Sequence, residues 1–407
     1  LTSSAPPRAA RQVSRRGELA PPSPIRKLEA SARAAEERGV RIYSLNIGQP
    51  DLRTSPGFLA GARQEEGSVL AYGPSGGLYP LRSALADYYR ALGIGVDDAD
   101  VLVTTGGSEA LLFALAAAAD PGDEVLTCEP CYPNYQGFAV LAGVELRTLS
   151  ARIEDGFALP SPEAFEAALT PRTRALLVCN PSNPTGAVYP REALAGLLAV
   201  ARRRGLFLIV DEVYREFVYD GLSPSSVLQL PDADDVAVVV DSTSKRLSAC
   251  GARVGCLVTR HAGLRGAVLR FAQARLSPPV LGQKGALAAL PRLREFLASS
   301  IPEYQRRRDA SLRELQRLPG VLATRPSGAF YLMVRLPVRS ADDFCRWLLE
   351  DFNSDGETVM LAPGSGFYKS PGRGADEVRI AYVLEEAALA RAFGVLREAL
   401  ERYPGRS

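Results

Sequence analysis

The sequence predicts an α/β protein: a three-layer α-β-α large domain around a mostly parallel sheet, with a smaller α+β domain formed by both chain ends. Three observations carry this. Between residues 101 and 259 short apolar runs alternate with helical patterns, as in strands joined by crossover helices. Ser108, Asn183, Asp211 and Lys245 each fall just past the end of such a run, where open α/β sheets place ligands. Beyond a long helical pattern at 301–318, separate strands and helices follow, as expected of a second unit. At 407 residues and 46% hydrophobic content, the chain can bury two cores.

In order along the chain, residues 1–24 are rich in Ala, Pro, Ser and Arg without hydrophobic periodicity and read as a flexible tail. Arg15-Arg16 has no apolar segment after it, which argues against a secretory signal. Residues 25–38 read as an amphipathic helix with Ile25, Leu28 and Ala32 on one face. A strand from Ile42 then runs into Gly48-Gln49-Pro50, where a glycine lets backbone approach a ligand closely. The Gly-rich loop 72–80 leads into a helix over 81–92, and 101–105 is a buried strand. Gly106, Gly107 and Ser108 follow at once and open a helix to about residue 119. Free N–H groups and the helix dipole favour an anion there. The pattern matches neither the dinucleotide fingerprint nor the Lys-bearing triphosphate loop, so a single phosphate is expected. The plainer alternative is Ser108 as a helix cap.

Strands are expected at 124–128, 144–149, 175–179, 206–210, 236–240 and 256–259, with helices to about residue 142 and over 191–204 and 264–275. Two Asn-Pro steps in 180–186 forbid helix and force a tight loop. The second unit has expected strands at 329–334, 358–361 and 377–383 and helices at 341–349 and 385–402.

Composition excludes several function classes. A net charge of +2 provides no basic field for nucleic acid. No apolar run approaches a membrane span. Six cysteines in this length point to a reducing compartment, and a cytoplasmic location is expected. Cys128 and Cys131 have the spacing of half a metal site, but there is no second such pair and His261 is the only histidine, so no metal is expected.

Lys245 is the centre of the chemistry. Among 48 basic residues the only other lysines are Lys27, Lys284 and Lys369. A partly desolvated lysine can lose its proton and attack a carbonyl carbon, which arginine cannot do. The bland alternative is a surface lysine in a Ser-rich loop. The surrounding residues fit one ligand, an aromatic aldehyde carrying a phosphate and a basic ring nitrogen: pyridoxal 5'-phosphate. Gly106, Gly107, Ser108, Ser242 and Arg253 are expected to hold the phosphate. Asp211 is expected to pair with the ring nitrogen, its pKa depressed by that cation. Asn183 and Tyr214 suit the ring's phenolic oxygen, and Tyr132 a stack on the ring face.

Four segments in this order carry a resemblance: Asn183-Pro-Thr-Gly186, Asp211-Glu-Val-Tyr214, Ser242-Thr-Ser-Lys245 and Gly251-Ala-Arg-Val-Gly255. With them the sequence resembles the pyridoxal-phosphate enzymes of fold type I, in particular the class I/II aminotransferases of the aspartate aminotransferase group, from about Ile25 onward. The resemblance implies that Lys245 forms the Schiff base and moves the proton between substrate and cofactor. It implies that Arg379 holds the substrate α-carboxylate, with Gly48 and Asn183 beside it. It also implies that Tyr72 reaches the phosphate of a neighbouring subunit, hence a homodimer. The reaction implied moves the amino group of an L-amino acid to a 2-oxo acid, commonly 2-oxoglutarate, through pyridoxamine phosphate. The implied division is a large cofactor domain over 48–300, a small domain over 301–407, and a segment 25–47 packing with the latter.

Departures from the family pattern bear on specificity. Leu247 stands where relatives often carry an aromatic and is expected to shape the pocket wall. Arg53 and Lys284 are candidates for a second substrate-reading cation, and Ile25, Ile47 and Phe330 for an apolar lining. Two alternatives stay open: a lyase or oxidase reaction on the same cofactor, and a ligand-sensing regulator. The regulator needs a DNA-binding domain before Ile25, for which the tail is too short.

Overall fold

The structure, a computed structural model, describes residues 13–63 and 69–407; residues 1–12 of the expected tail lie outside them. Part of that tail is ordered. Helix α1 (Arg15–Leu19) is capped by Ser14, whose side chain accepts from Gly17 N, and Arg16 Nη1 donates to Leu141 O at 3.5 Å. Helix α2 (Glu29–Glu37) starts four residues later than the periodicity suggested, because 24–27 form turns in which Ile25 O accepts from Asn46 Nδ2 at 3.0 Å.

Strand β1 (Arg41–Ser44) is followed by α3 (Pro56–Ala62), α4 (Tyr79–Ala91), β2 (Val101–Thr104) and α5 (Gly106–Ala118). Next come β3 (Glu124–Glu129), α6 (Asn134–Ala142), β4 (Glu145–Ser150), α7 (Pro162–Ala167) and β5 (Thr173–Cys179). Helix α8 (Arg191–Arg204) spans the residues expected and ends at Gly205 in a left-handed conformation, with three arginines in its last turn opposing the dipole. Then follow β6 (Phe207–Asp211), β7 (Ala237–Ser242), α9 (Thr243–Arg246), β8 (Gly255–Val258), α10 (Ala262–Arg275) and α11 (Val280–Ala289). Helix α12 (Leu293–Leu315) begins eight residues before the expected start, carrying Pro302 inside it. The remainder is β9 (Leu322–Ala323), β10 (Tyr331–Arg335), α13 (Ala341–Glu350), β11 (Glu357–Met360), β12 (Ala362–Pro363), β13 (Glu377–Ala381) and α14 (Glu386–Arg402).

A seven-stranded sheet has the order β2-β8-β7-β6-β5-β3-β4, with parallel pairing from β4 through β7 and β8 antiparallel to both its neighbours. Alternation along the strands assigns two faces. Leu177, Ile209, Val238 and Val240 join one core with α5, α6 and α10, while Leu176, Val210 and Val239 join another with α4 and α8. This is the three-layer arrangement expected. A second sheet, β12-β13-β10-β9, is covered by α13 and α14, and β1 pairs in parallel with β11, joining the beginning of the chain to its end.

Candidate active site

The strand faces fix which residues reach the site. Cys179, Asp211 and Ser242 end β5, β6 and β7 on the same face as Leu177, Ile209 and Val240, so all three turn toward one cavity of about 510 Å³. Gly48, Gly107, Ser108, Tyr132, Asn183, Tyr214, Lys245, Arg253 and Arg379 also line it. That volume is within the range of roughly 300–1,000 Å³ usual for small-molecule sites.

One end of the cavity is built for an anion. Helix α5 opens there, and Ser108 does not cap it: the Ncap position is Thr105, whose N–H donates to Glu109 Oε2 at 2.8 Å. Gly107 and Ser108 thus present the helix start to the cavity. Gly106 lies just behind at φ +76°, and a Cβ there would sit 2.5 Å from Arg253 Nη2. The glycine lets the guanidinium lie against the helix start, where its charge and the dipole both favour an anion.

Asp211 occupies the deep wall. It accepts from Tyr135 OH at 2.8 Å and from Val213 N at 3.3 Å. Burial pushes its carboxyl up to about 6, opposed by those hydrogen bonds and by the charge of Lys245. The depressed value expected from the sequence therefore does not hold for the chain by itself. Among the described residues no cation forms an ion pair with it, so the acid calls for one from a ligand. A pyridine nitrogen meets that need, and the residues present fit pyridoxal phosphate.

Lys245 reaches across, its Nζ donating to Gly48 O at 2.7 Å and lying 3.7 Å from Cys250 Sγ. Tyr214 OH and Tyr331 OH are 2.7 Å apart, and burial raises the Tyr214 hydroxyl well above its ordinary value. Tyr132 OH accepts from Asn134 Nδ2 at 2.9 Å. Arg379 is buried between the rings of Tyr331 and Phe367, its carbon 4.4 and 4.9 Å from their centroids. Its Nη1 donates to Asn183 Oδ1 at 2.9 Å, Nη2 donates to Asn46 O, and Nε has no partner. A buried guanidinium with an unpartnered N–H beside a cavity is suited to a carboxylate.

Several expected residues are elsewhere. Tyr72 is 83% exposed and does not line the cavity of its own chain. Leu247 is fully buried in the core shared with Tyr89, because it packs beneath α9 and not into the pocket. Phe330 is also core, edge-to-face with Tyr214 at 5.2 Å, whereas Ile25 and Ile47 do line the cavity. Arg53 is exposed and Lys284 sits on α11; neither lines the cavity. The cation that does is Arg26, on the turn before α2, with no ion pair or side-chain hydrogen bond among the described residues. Sequence reasoning missed it because it assigned that turn to a helix. It also missed Tyr135 and Tyr331. Alternation about the expected strand 329–334 offered a signal for Tyr331; none existed for Tyr135, whose partner Asp211 is 76 positions away.

Comparison with known proteins agrees with this geometry. The family model for "Aminotransferase class I and II" matches residues 40–396. An aspartate/prephenate aminotransferase of Thermus thermophilus is 34% identical over 97% of this chain and 98% of its own length. The aspartate aminotransferase of Thermotoga maritima superposes with a TM-score of 0.87 at 30% identity, over 96% of this chain and all of that one. An alanine aminotransferase from Pyrococcus furiosus gives 0.86 at 28% identity with the same coverage. Such likeness runs through the whole fold that carries the cavity, and the chain therefore belongs to the class I and II aminotransferases, transaminases that work with pyridoxal phosphate.

Proposed function

We propose that this protein moves the amino group of an L-amino acid to 2-oxoglutarate, and that Lys245 both bonds to the cofactor and moves the proton at the substrate α-carbon. The observation that carries the reading is the convergence of Lys245, Asp211 and Arg379 on one cavity that also receives the start of α5. When bound, pyridoxal phosphate supplies a protonated ring that takes up the electron pair released at the α-carbon. Gly107, Ser108, Ser242 and Arg253 would hold its phosphate, Asp211 its ring nitrogen, Asn183 and Tyr214 its phenolic oxygen, and Tyr132 its face, with Gly106 leaving room for the Arg253 guanidinium. Arg379 has a hydrogen left on each Nη beyond its contacts to Asn183 and Asn46, enough to grip the α-carboxylate at two points. That grip, with Gly48 alongside, aims the α-hydrogen at the Lys245 amine; such positioning supplies much of an enzymatic rate.

Arg26 supports a dicarboxylic substrate. Arg253 serves the phosphate and Arg379 the α-carboxylate, which leaves Arg26 to face a second carboxylate such as that of 2-oxoglutarate. The relatives named for aspartate agree with this reading. We further propose a homodimer in which the exposed Tyr72 reaches the phosphate end of the partner's cavity, and a cytoplasmic location. No helix among the described residues is long and apolar enough to cross a membrane. The division into 25–47, 48–300 and 301–407 is supported by the β1–β11 pairing and by the span of the seven-stranded sheet.

Cofactor-loaded protein given one amino acid should release one 2-oxo acid per site and stop, then turn over when 2-oxoglutarate is added. Continuous release of ammonia without an acceptor would instead mean elimination and would refute the reading. The relatives named above are aminotransferases, which favours transfer.

A further inference from the structure

Four residues assigned to the cofactor have sequence neighbours that turn away from it and meet behind the sheet. Asp211 is followed by Glu212, Tyr214 by Arg215, and Lys245 by Arg246, while Ser242 is preceded by Asp241. All four neighbours are buried. Strand alternation is the reason at Asp241: Ser242 takes the cavity face, so Asp241 continues the face of Val239.

These neighbours form one ion network. Asp241 Oδ2 accepts from Arg215 Nη2 at 2.7 Å and from Tyr89 OH at 2.6 Å, and its Oδ1 accepts from Arg246 Nη2 and from Ser242 N. Arg215 Nη1 donates to Glu212 Oε2 at 2.7 Å, and Glu212 Oε1 accepts from Val227 N at 2.8 Å. Glu216 closes the circuit, 3.4 Å from Arg246 Nε and bonded to Tyr88 OH. The two guanidiniums lie over the Tyr88 ring, 5.4 and 4.9 Å from its centroid. Burial alone would raise Asp241, yet the two arginines hold it below its ordinary value, so it stays ionised.

A cluster of this kind is a poor way to gain stability, since hydrophobic residues of the same volume do as well without desolvating charge. What it adds is directional constraint. Apolar packing tolerates small slides; opposed charges tied by directional hydrogen bonds, as Asp241 is to Arg215, Arg246 and Tyr89, do not. We propose that Glu212, Arg215, Asp241 and Arg246 are positioning residues, a buried ionic plate that fixes the β6 and β7 ends and α9 so that Asp211, Tyr214, Ser242 and Lys245 meet one cofactor in register. This rests on the functional reading given above.

The test compares Arg246→Met with Arg308→Met. Arg308 is another buried arginine, bonded to Asp220 and Pro326 O and outside the network. Both variants should lower the thermal midpoint. Only Arg246→Met should raise the cofactor dissociation constant, by at least about tenfold, and lower kcat by about 10²-fold with KM within about twofold, the loss that a misplacement near 1 Å brings. Arg246→Lys should recover part of both. If Arg246→Met does not fold, Arg246→Lys against Arg308→Lys is read in the same way. Equal losses in the two arginine variants, or an unchanged cofactor affinity and kcat in Arg246→Met, overturn the proposal. A parent protein that binds no cofactor sinks the functional reading and this inference with it; a parent that binds and transfers normally leaves the arginine comparison to decide this inference alone.

Discussion

Asp211→Asn should make the cofactor-free protein harder to unfold at neutral and alkaline pH while removing most of its activity. Raising the carboxyl from its ordinary 3.8 to about 6 means that its ionised form costs the folded state about 3 kcal/mol. The sign follows from proton counting. The folded acid keeps its proton up to about pH 6, the unfolded one only to about 3.8. Between those values the folded state binds more protons, so stability falls as pH rises through the window and stays at the lower level above it. Asparagine carries no charge; its one oxygen can still accept from Val213 N, and its Nδ2 can donate to the Tyr135 hydroxyl in place of the bond that Oδ2 accepted. The gain should be near zero at about pH 4 and approach about 3 kcal/mol above pH 6. Urea midpoints of the two proteins, freed of cofactor, at about pH 4 and about pH 8 measure it. A variant less stable than its parent at both, or a gap that does not grow with pH, would refute the reasoning. In the loaded enzyme the same change should lower kcat by at least about 10²-fold, because the charge that holds the ring nitrogen is gone.

Lys245→Ala should reduce turnover by about 10³-fold or more, read in steady-state amino transfer; near-parental kcat would remove Lys245 from the chemistry. Arg379→Ala should lower kcat/KM for every amino acid by roughly 10- to 100-fold, the worth of a charge-assisted hydrogen bond, and unchanged kinetics would put the carboxylate clamp elsewhere. Gly48→Ala places a Cβ 1.8 Å from Tyr331 OH and should lower the thermal midpoint by the equivalent of about 1–3 kcal/mol and raise KM; a silent substitution would show that the Tyr331 ring is not held so close to the Gly48 backbone. Arg26→Gln should raise KM for dicarboxylic 2-oxo acids about tenfold more than for monocarboxylic ones, in a side-by-side comparison of 2-oxoglutarate and pyruvate. Equal effects on both would deny Arg26 a carboxylate partner.

Most of the large sheet was legible because each strand is a short apolar run and each following polar residue sits at its C-terminal end. Asp211 and Lys245 could be placed at one site from that rule alone. The errors have local physical causes. Residues 25–27 keep helical periodicity yet turn, because Ile25 O is bonded to Asn46 Nδ2 from outside the segment. Leu247 looked like a wall residue by position, but α9 is a single turn, and the next side chain drops into the core. The state of Asp211 was read from a partner the chain does not itself supply. The ionic plate behind the sheet was invisible, since its members are scattered from Tyr88 to Arg246 and charged residues ordinarily signal surface.

The pairing of Arg379 with the Asn46 carbonyl joins positions 333 apart in the chain. Everything assigned to the cofactor within one subunit lies between Gly106 and Arg253, so during synthesis the coenzyme pocket can be complete long before its substrate clamp exists. Coenzyme bound by the emerging chain would stabilise that half early. The ability to hold an amino acid arrives only when β13 closes on the segment that follows β1, which makes substrate binding a later acquisition than coenzyme binding.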